Sequence, residues 1–337
     1  MTSVGVSLGL WGDRPAGEAL TTATAADDLG YPELWIGEMA TYDAFALATS
    51  IGLRTRRIAL TVGPLPVAVR DPMMIAMGAA SVADLTGRPV GVAVGTSSPV
   101  VVQDWHGRPR VRGDLALRES VQALRPLLAG EKAAVDGRIL RTRGYRLRLA
   151  APRSPITVAA FGPSAVAVAA ELADRMVLNL VTPDSAARLV ALMRDRTPPG
   201  RTAPKVAVWV SAAVDPDAEA VERVRRAVVG YLAAPGYAEA FAEAGFADVV
   251  AYARGRPHPR ELLAAIPTAL VESVALLGDA ERIRRRIAEY AAAGVDEIAL
   301  LPVCTDADPG GAGTLRALAG PVERKPAGPR QGVECRS

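Results

Sequence analysis

Apolar positions along this chain fall into short unbroken runs, separated by longer stretches where they recur every three to four residues. The unbroken runs are Val4–Gly9, Glu33–Gly37, Ile58–Gly63, Pro89–Val94, Ile156–Ala160, Arg175–Leu180, Val206–Val214 and Glu297–Val303. Most are β-branched and show no in–out alternation. Such runs suit strands covered on both faces, and so predict a parallel sheet.

The intervening stretches read as helices. Ala16–Leu29 stops at Gly30, with Pro32 just beyond. Asp71 is an N-cap with Pro72 at the first helical position, and that helix runs to Gly87. Ser164–Ala173, Ser185–Arg194 and Ala280–Ala293 follow the same logic. Strand and helix alternating around eight strand runs predict an α/β fold, the (β/α)8 TIM barrel.

Two connections, after strands 4 and 7, exceed what a plain barrel needs. Thr96–Pro155 holds a helix, Leu115–Leu128, and a hairpin through Gly137 and Gly144, while Asp215–Asp279 is mostly helical from Ala218 to Leu232 and onward. Both follow a strand, so both are expected on the C-terminal face, where a barrel builds its active site. A lid and a contact between copies fit them equally, which leaves a homodimer open. A single barrel domain is expected over residues 1–320, and residues 321–337, made of Pro, Gly and charge, read as a disordered tail.

Composition narrows the picture. Half of the 337 residues are hydrophobic but only 4% are aromatic, so small aliphatic side chains must fill the core. The 39 basic and 36 acidic residues leave a charge of +3 without a basic run, and no nucleic-acid partner is expected. Cys304 and Cys335 make no disulfide framework, which suits a reducing compartment. No apolar run approaches the roughly 18 residues of a membrane span. A cytoplasmic protein with a small-molecule substrate and no membrane partner is expected.

The segment Ala160-Phe161-Gly162-Pro163-Ser164 sits where a strand meets a helix. Free N–H groups at a helix start can hold an anion, and glycine lets a phosphate approach; an ordinary capped turn has the same pattern. Thr61-Val62-Gly63-Pro64-Leu65-Pro66 runs a buried strand into two prolines, which forces the chain out of strand geometry. A bulge there would press against a flat ring, or simply end the strand. Thr96, Ser97 and Ser98 end strand 4 with hydroxyls suited to a polar heteroaromatic ring. Glu38 ends strand 2 at the same rim, as an acid–base group or an ion-pair partner, and Asp43 reads as a helix cap. His106, within Trp105-His106-Gly107, lies on the long loop, whereas His258 between two prolines reads as surface. No His/Cys/Asp/Glu spacing supports a metal. Gly91–Gly95 is strand, so a glycine-rich dinucleotide turn is missing.

Taken together, these blocks resemble the bacterial luciferase-like oxidoreductases, closest to the branch that uses the deazaflavin coenzyme F420. The resemblance runs from about Val4 to Val303 through Glu33–Glu38, Thr41–Phe45, Thr61–Pro72, Ala83–Arg88, Gly95–Ser98 with Trp105–Gly107, and Ala159–Ala173. It implies a barrel holding an isoalloxazine-type ring at its C-terminal mouth. Val62-Gly63 falls where the family has a non-prolyl cis peptide against the ring, with Pro64 next to it. Thr96, with Ser97 beside it, falls where a hydroxyl meets the ring system. Phe161 and Gly162, with Ala160 beside them in the cofactor site, fall where backbone amides hold the cofactor phosphate.

Two departures matter. Glu38 is followed by Met39 where some relatives have histidine, and Ser98 stands where sugar-phosphate-oxidising relatives have glutamate. Neither methionine nor serine supports that chemistry. The resemblance therefore implies hydride transfer between the deazaflavin and a small organic substrate, as reduction of an activated C=C or C=N bond. Glu38, Tyr42 and His106 are the candidate proton carriers, and Trp11, Met39 and Trp105 the candidate substrate contacts. Trp35 is also expected near the mouth. Two alternatives share the barrel: an FMN-dependent monooxygenase, and a flavin-binding protein without catalysis.

Overall fold

A computed structural model of the chain describes residues 2–9, 14–38 and 40–320. All eight apolar runs form strands: β1 (Ser3–Ser7), β2 (Glu33–Ile36), β3 (Ala59–Pro66), β4 (Val90–Gly95), β5 (Ile156–Ala159), β6 (Arg175–Asn179), β7 (Lys205–Val214) and β8 (Glu297–Pro302). Each pairs in parallel with the next, and β8 returns to β1, so the sheet closes into a barrel. The helices between them are α1 (Glu18–Asp28), α2 (Ala44–Arg54), α3 (Pro72–Thr86), α4 (Gly113–Leu128), α5 (Pro163–Leu172), α6 (Pro183–Arg196), α7 (Ala280–Ala292) and α8 (Ala312–Leu318).

The local signals account for these boundaries. Asp43 starts α2 by accepting from the Phe45 and Ala46 amides, and Asp71 starts α3 by accepting from Met74. Gly87, in the left-handed region at φ 64°, ends α3. Outward strand residues such as Leu34, Leu60, Val92 and Val158 pack with the inner helix faces into one aliphatic core.

The inside of the barrel is narrow and mixed. Ala93, Val177, Ala207 and Ala299 surround Trp35 and Trp209, whose rings meet edge-on at 5.7 Å. Below them Arg175 bonds Glu33 and Glu297 at 2.7 and 2.6 Å, donates to Thr157, and stacks 4.1 Å from the Trp35 ring. Glu33, Arg175 and Glu297 each open their strand, so this ion cluster plugs the N-terminal end of the barrel. Trp35 therefore belongs to the plug side of the interior, stacked on Arg175 and bonded to Glu297, and not to the mouth where it is expected from the sequence.

The two long connections divide differently from the expectation. Helix α4 is the barrel's own fourth helix, packed beside α3 and α5. The hairpin (Ala134–Asp136 with Arg141–Arg143) comes after α4 and leads into β5, so it arises at the N-terminal end and not at the mouth. Its turn is held by Glu119 of α4, which accepts from the amides of Arg138, Ile139 and Leu140. Only residues 96–112 follow β4 at the mouth. The second connection does sit there: it carries six helical segments between Ala218 and Ser273, five α-helical and one π-helical, and the strand Ala275–Gly278 pairs with the upper half of β7. Val224, Val228, Phe241 and Leu270 give it a core of its own. Residues 321–337, where the tail is expected, lie outside the described residues, as does Cys335.

Candidate functional site

Strand β3 breaks register with β4 between Val62 and Leu65, so Gly63 and Pro64 form a bulge at the barrel mouth. The cis bond is Gly63–Pro64, one peptide later than the Val62–Gly63 bond that the resemblance implies. Gly63 adopts φ 119°, and a Cβ there would lie 2.1 Å from the Ala93 carbonyl. Only glycine fits this point. Val62 itself is fully buried and faces the helices, so the surface offered to the mouth comes from Gly63 and Pro64.

Across the mouth, β5 ends at Ala160-Phe161-Gly162, and α5 starts on Pro163. No side chain caps this helix. A Cβ on Gly162 would meet nothing within 4 Å, so the space in front of the turn is open. An uncapped helix start with room before it is the arrangement that accepts an anion. Ala160 is buried, while Phe161 and Gly162 are half-buried.

The second connection backs this turn. Phe161 and Tyr237 stack with centroids 4.3 Å apart, and Tyr231 continues the cluster at 4.7 Å from Tyr237. Burial raises the Tyr237 phenol above its usual range, so it stays protonated. Its oxygen accepts from Asn179 Nδ2 at 3.5 Å. Asn179 pairs with Trp209 in register and so faces inward at the top of β6. Neither Asn179 nor Tyr237 figures among the sequence candidates. A polar residue closing an apolar strand run was the available signal for the first, whereas the second reaches the site only through a long-range contact.

On the β4 side, Arg110 donates to the Thr96 hydroxyl at 3.4 Å and to the Ser97 carbonyl at 3.2 Å. Ser97 sits at φ 55°, and Ser98 accepts from the Val101 amide at 3.3 Å. Thr96 and Ser97 are thus held at the rim beside Gly95, which pairs with Pro66 just past the bulge.

Next to the bulge lies a cleft of about 320 Å³ lined by Glu38, Thr41, Tyr42, Asp43, Pro66, Val69, Arg70, Asp71, Met74, Val101, Trp105 and His106. It gathers four sequence candidates: Glu38, Tyr42, Trp105 and His106. Arg70 organises it. Its Nε donates to Glu38 Oε2 at 2.7 Å, its Nη2 bonds both Glu38 Oε1 and Asp43, and Glu38 Oε1 also accepts from the Ala44 amide at 3.3 Å. Glu38, then Asp43, holds the guanidinium further above its usual range. Burial works against the charge on Asp43, yet the Ala46 amide and Arg70 keep its carboxyl below the ordinary carboxylate range. Both Glu38 oxygens are therefore committed to Arg70. Tyr42 and Trp105 are 39% and 54% exposed, and His106 is exposed beside them.

The remaining candidates settle quickly. Trp11 and Met39 lie outside the described residues. His258 is an exposed cap that accepts from the Arg260 amide. Among the described residues no His, Cys, Asp and Glu side chains group to hold a metal, and no helix is long and apolar enough to cross a membrane.

Comparison with known proteins agrees with this geometry. A family model described as luciferase-like monooxygenase matches residues 2–297. A Mycobacterium tuberculosis protein, provisionally named a coenzyme F420-dependent oxidoreductase, is 25% identical over 326 residues, covering 87% of this chain and 92% of its own. The 5,10-methylenetetrahydromethanopterin reductase of Archaeoglobus fulgidus is 25% identical over 217 residues, or 62% of this chain and 64% of its own. The solved coenzyme F420-dependent tetrahydromethanopterin reductase from Methanopyrus kandleri superposes with a TM-score of 0.80 at 18% identity, over 94% of this chain and 97% of its own. At that identity the likeness shows the fold.

Proposed function

The chain belongs to the luciferase-like monooxygenase family, and on that premise we propose that it is a coenzyme F420-dependent oxidoreductase acting on a small organic substrate. The observation that carries this reading is the pairing of two features on one rim. The Gly63–Pro64 bulge offers a flat backbone surface, and the open, uncapped start of α5 offers anion-binding amides. A phosphorylated tricyclic ring needs both. The provisional naming of the mycobacterial relative points the same way.

Bound there, the deazaflavin supplies hydride chemistry, most simply the reduction of an activated C=C or C=N bond. The chain's own residues do the rest. The amides of Phe161 and Gly162 hold the phosphate, with Ala160 fixing the turn from the core. Gly63 and Pro64 support one ring face, while Thr96 and Ser97 meet the ring edge. Trp105 shapes the substrate cleft. Because Glu38 is committed to Arg70 and Ala44, it positions the cleft, and Tyr42 and His106 are left to carry protons.

Turnover tests the reading: the absorbance of the reduced and the oxidised deazaflavin is followed with a panel of unsaturated and imine compounds. Cofactor oxidation linked to one compound class is the expected result. A protein that oxidises reduced FMN with oxygen and ignores the deazaflavin would favour the monooxygenase alternative instead.

A further inference from the structure

The cleft beside the bulge carries more charge information than its role as a substrate pocket requires. Of its twelve lining residues, Glu38, Asp43 and Asp71 are acidic, while Arg70 is the only lining residue with a fixed positive charge. Arg70 is spent on Glu38 and Asp43, which leaves one carboxylate charge in surplus even before Asp71 is counted. Asp71 is turned to the Met74 amide at the start of α3, where the helix end offsets much of its charge. Of the cations on the loop after β4, Arg110 is tied to Thr96 and Ser97 on the cofactor side of the mouth, and the exposed Arg108 and Arg112 do not line the cleft. The walls add a second feature. Tyr42 and Trp105 both line the cleft and are exposed, and an aromatic face attracts a positive charge.

We infer that this cleft selects a ring-bearing substrate of positive charge, carried on nitrogen, over a neutral one, and rejects the anionic counterpart. The inference rests on the proposed function, since that reading makes the cleft the substrate's. The carboxylate surplus and the two aromatic residues act on the same charge through different side chains, so each is removable by itself. The volume of about 320 Å³ sets the size to one or two rings. Anions fare worst. An anion entering the cleft meets a guanidinium already paired and a carboxylate already in excess.

The test uses the full-length protein and three probes of one shape: N-methylpyridinium-3-carboxamide, nicotinamide and nicotinate, which carry positive, zero and negative charge. Calorimetric titration is expected to rank them in that order, with at least tenfold between cation and anion. D43N keeps an acceptor for the α2 cap but removes the surplus charge, and should narrow that ratio severalfold; it also loses the Arg70 pairing, so binding is compared well below the melting temperature of both proteins. W105A should weaken the cation most and nicotinate least. Equal or tighter binding of nicotinate, or a ratio that D43N and W105A both leave alone, overturns the inference. A parallel titration with coenzyme F420 separates the two ideas. Normal cofactor binding with a reversed probe ranking refutes only the charge selection. No cofactor binding with the expected ranking refutes the proposed function and leaves a cation-selective cleft.

Discussion

The rings of Phe161 and Tyr237 lie 4.3 Å apart at an angle of 34°, which ties the connection after β7 to the turn that opens α5. Gly236 completes the contact, because a Cβ there would sit 3.2 Å from Phe161 Cβ and 3.9 Å from the Gly162 amide nitrogen. The insertion therefore walls the anion turn from above. Its backbone at Gly236 is at φ 87°, where a side chain is strained.

Substituting Gly236 with valine should push on that wall. About 1–3 kcal/mol of strain is expected, or roughly tenfold or more in affinity if it falls on the turn. Fluorescence titration should show weaker binding of coenzyme F420 and unchanged binding of its phosphate-free ribityl chromophore. Equal losses for both ligands would mean that the wall acts on the ring and not on the phosphate.

Gly63 and Gly162 should behave oppositely when changed to alanine. G63A drives a Cβ into the Ala93 carbonyl at 2.1 Å, so the barrel itself should lose several degrees of thermal stability. G162A meets nothing within 4 Å and should melt within about a degree of the parent. It should still lose affinity for the phosphorylated cofactor, because the methyl group occupies the space an anion would take. Thermal melting alongside cofactor titration separates the two variants.

Much of the frame was legible in the sequence because most barrel strands are continuous apolar runs and several helix starts bear a local marker, such as Asp43 or Asp71-Pro72. Chain order was a poorer guide to placement. The hairpin at Ala134–Arg143 follows β4 in sequence but comes after α4, which had already carried the chain to the other end of the barrel. The floor cluster was hidden for a different reason. Glu33, Arg175 and Glu297 are charged residues opening strands, a position that reads as exposed edge until three strands are brought together. Of the site, the bulge and the helix start were visible as local patterns. Arg70, Asn179 and Tyr237 were not, since each acts through partners far along the chain.

Glu297 gives the floor cluster a pH signature. Burial, followed by the neighbouring Glu33 carboxylate, pushes its carboxyl up to about 7 from an ordinary value near 4.5. Arg175 overcomes the burial of Glu33 and holds that carboxyl below its usual range. An acid raised in the folded state favours folding at low pH and loses that contribution as pH climbs through its folded value. Relative to E297Q, the parent protein should therefore lose thermal stability from about pH 4.5 to about pH 7 and change little above that. A difference in melting temperature that stays constant across this window would contradict a shared carboxylate pair.

Tyr42 and His106 differ from Glu38 in what their loss should do. H106N and Y42F should lower kcat, within the roughly 100-fold or greater range of a lost proton carrier for the one that serves. E38Q breaks the Arg70 pairing and should raise KM instead. Steady-state kinetics on the same substrate distinguishes them. A fall in kcat for E38Q alone would return the proton role to Glu38.

The central claim is that the mouth holds a phosphorylated deazaflavin between Gly63 and the start of α5. Equilibrium titration of the purified protein with coenzyme F420, its phosphate-free chromophore and FMN tests it most directly. The account predicts saturable one-to-one binding of coenzyme F420, tighter than either of the others, and loss of the advantage over the phosphate-free chromophore in G162A. Preference for FMN, or equal affinity with and without the phosphate, would contradict it.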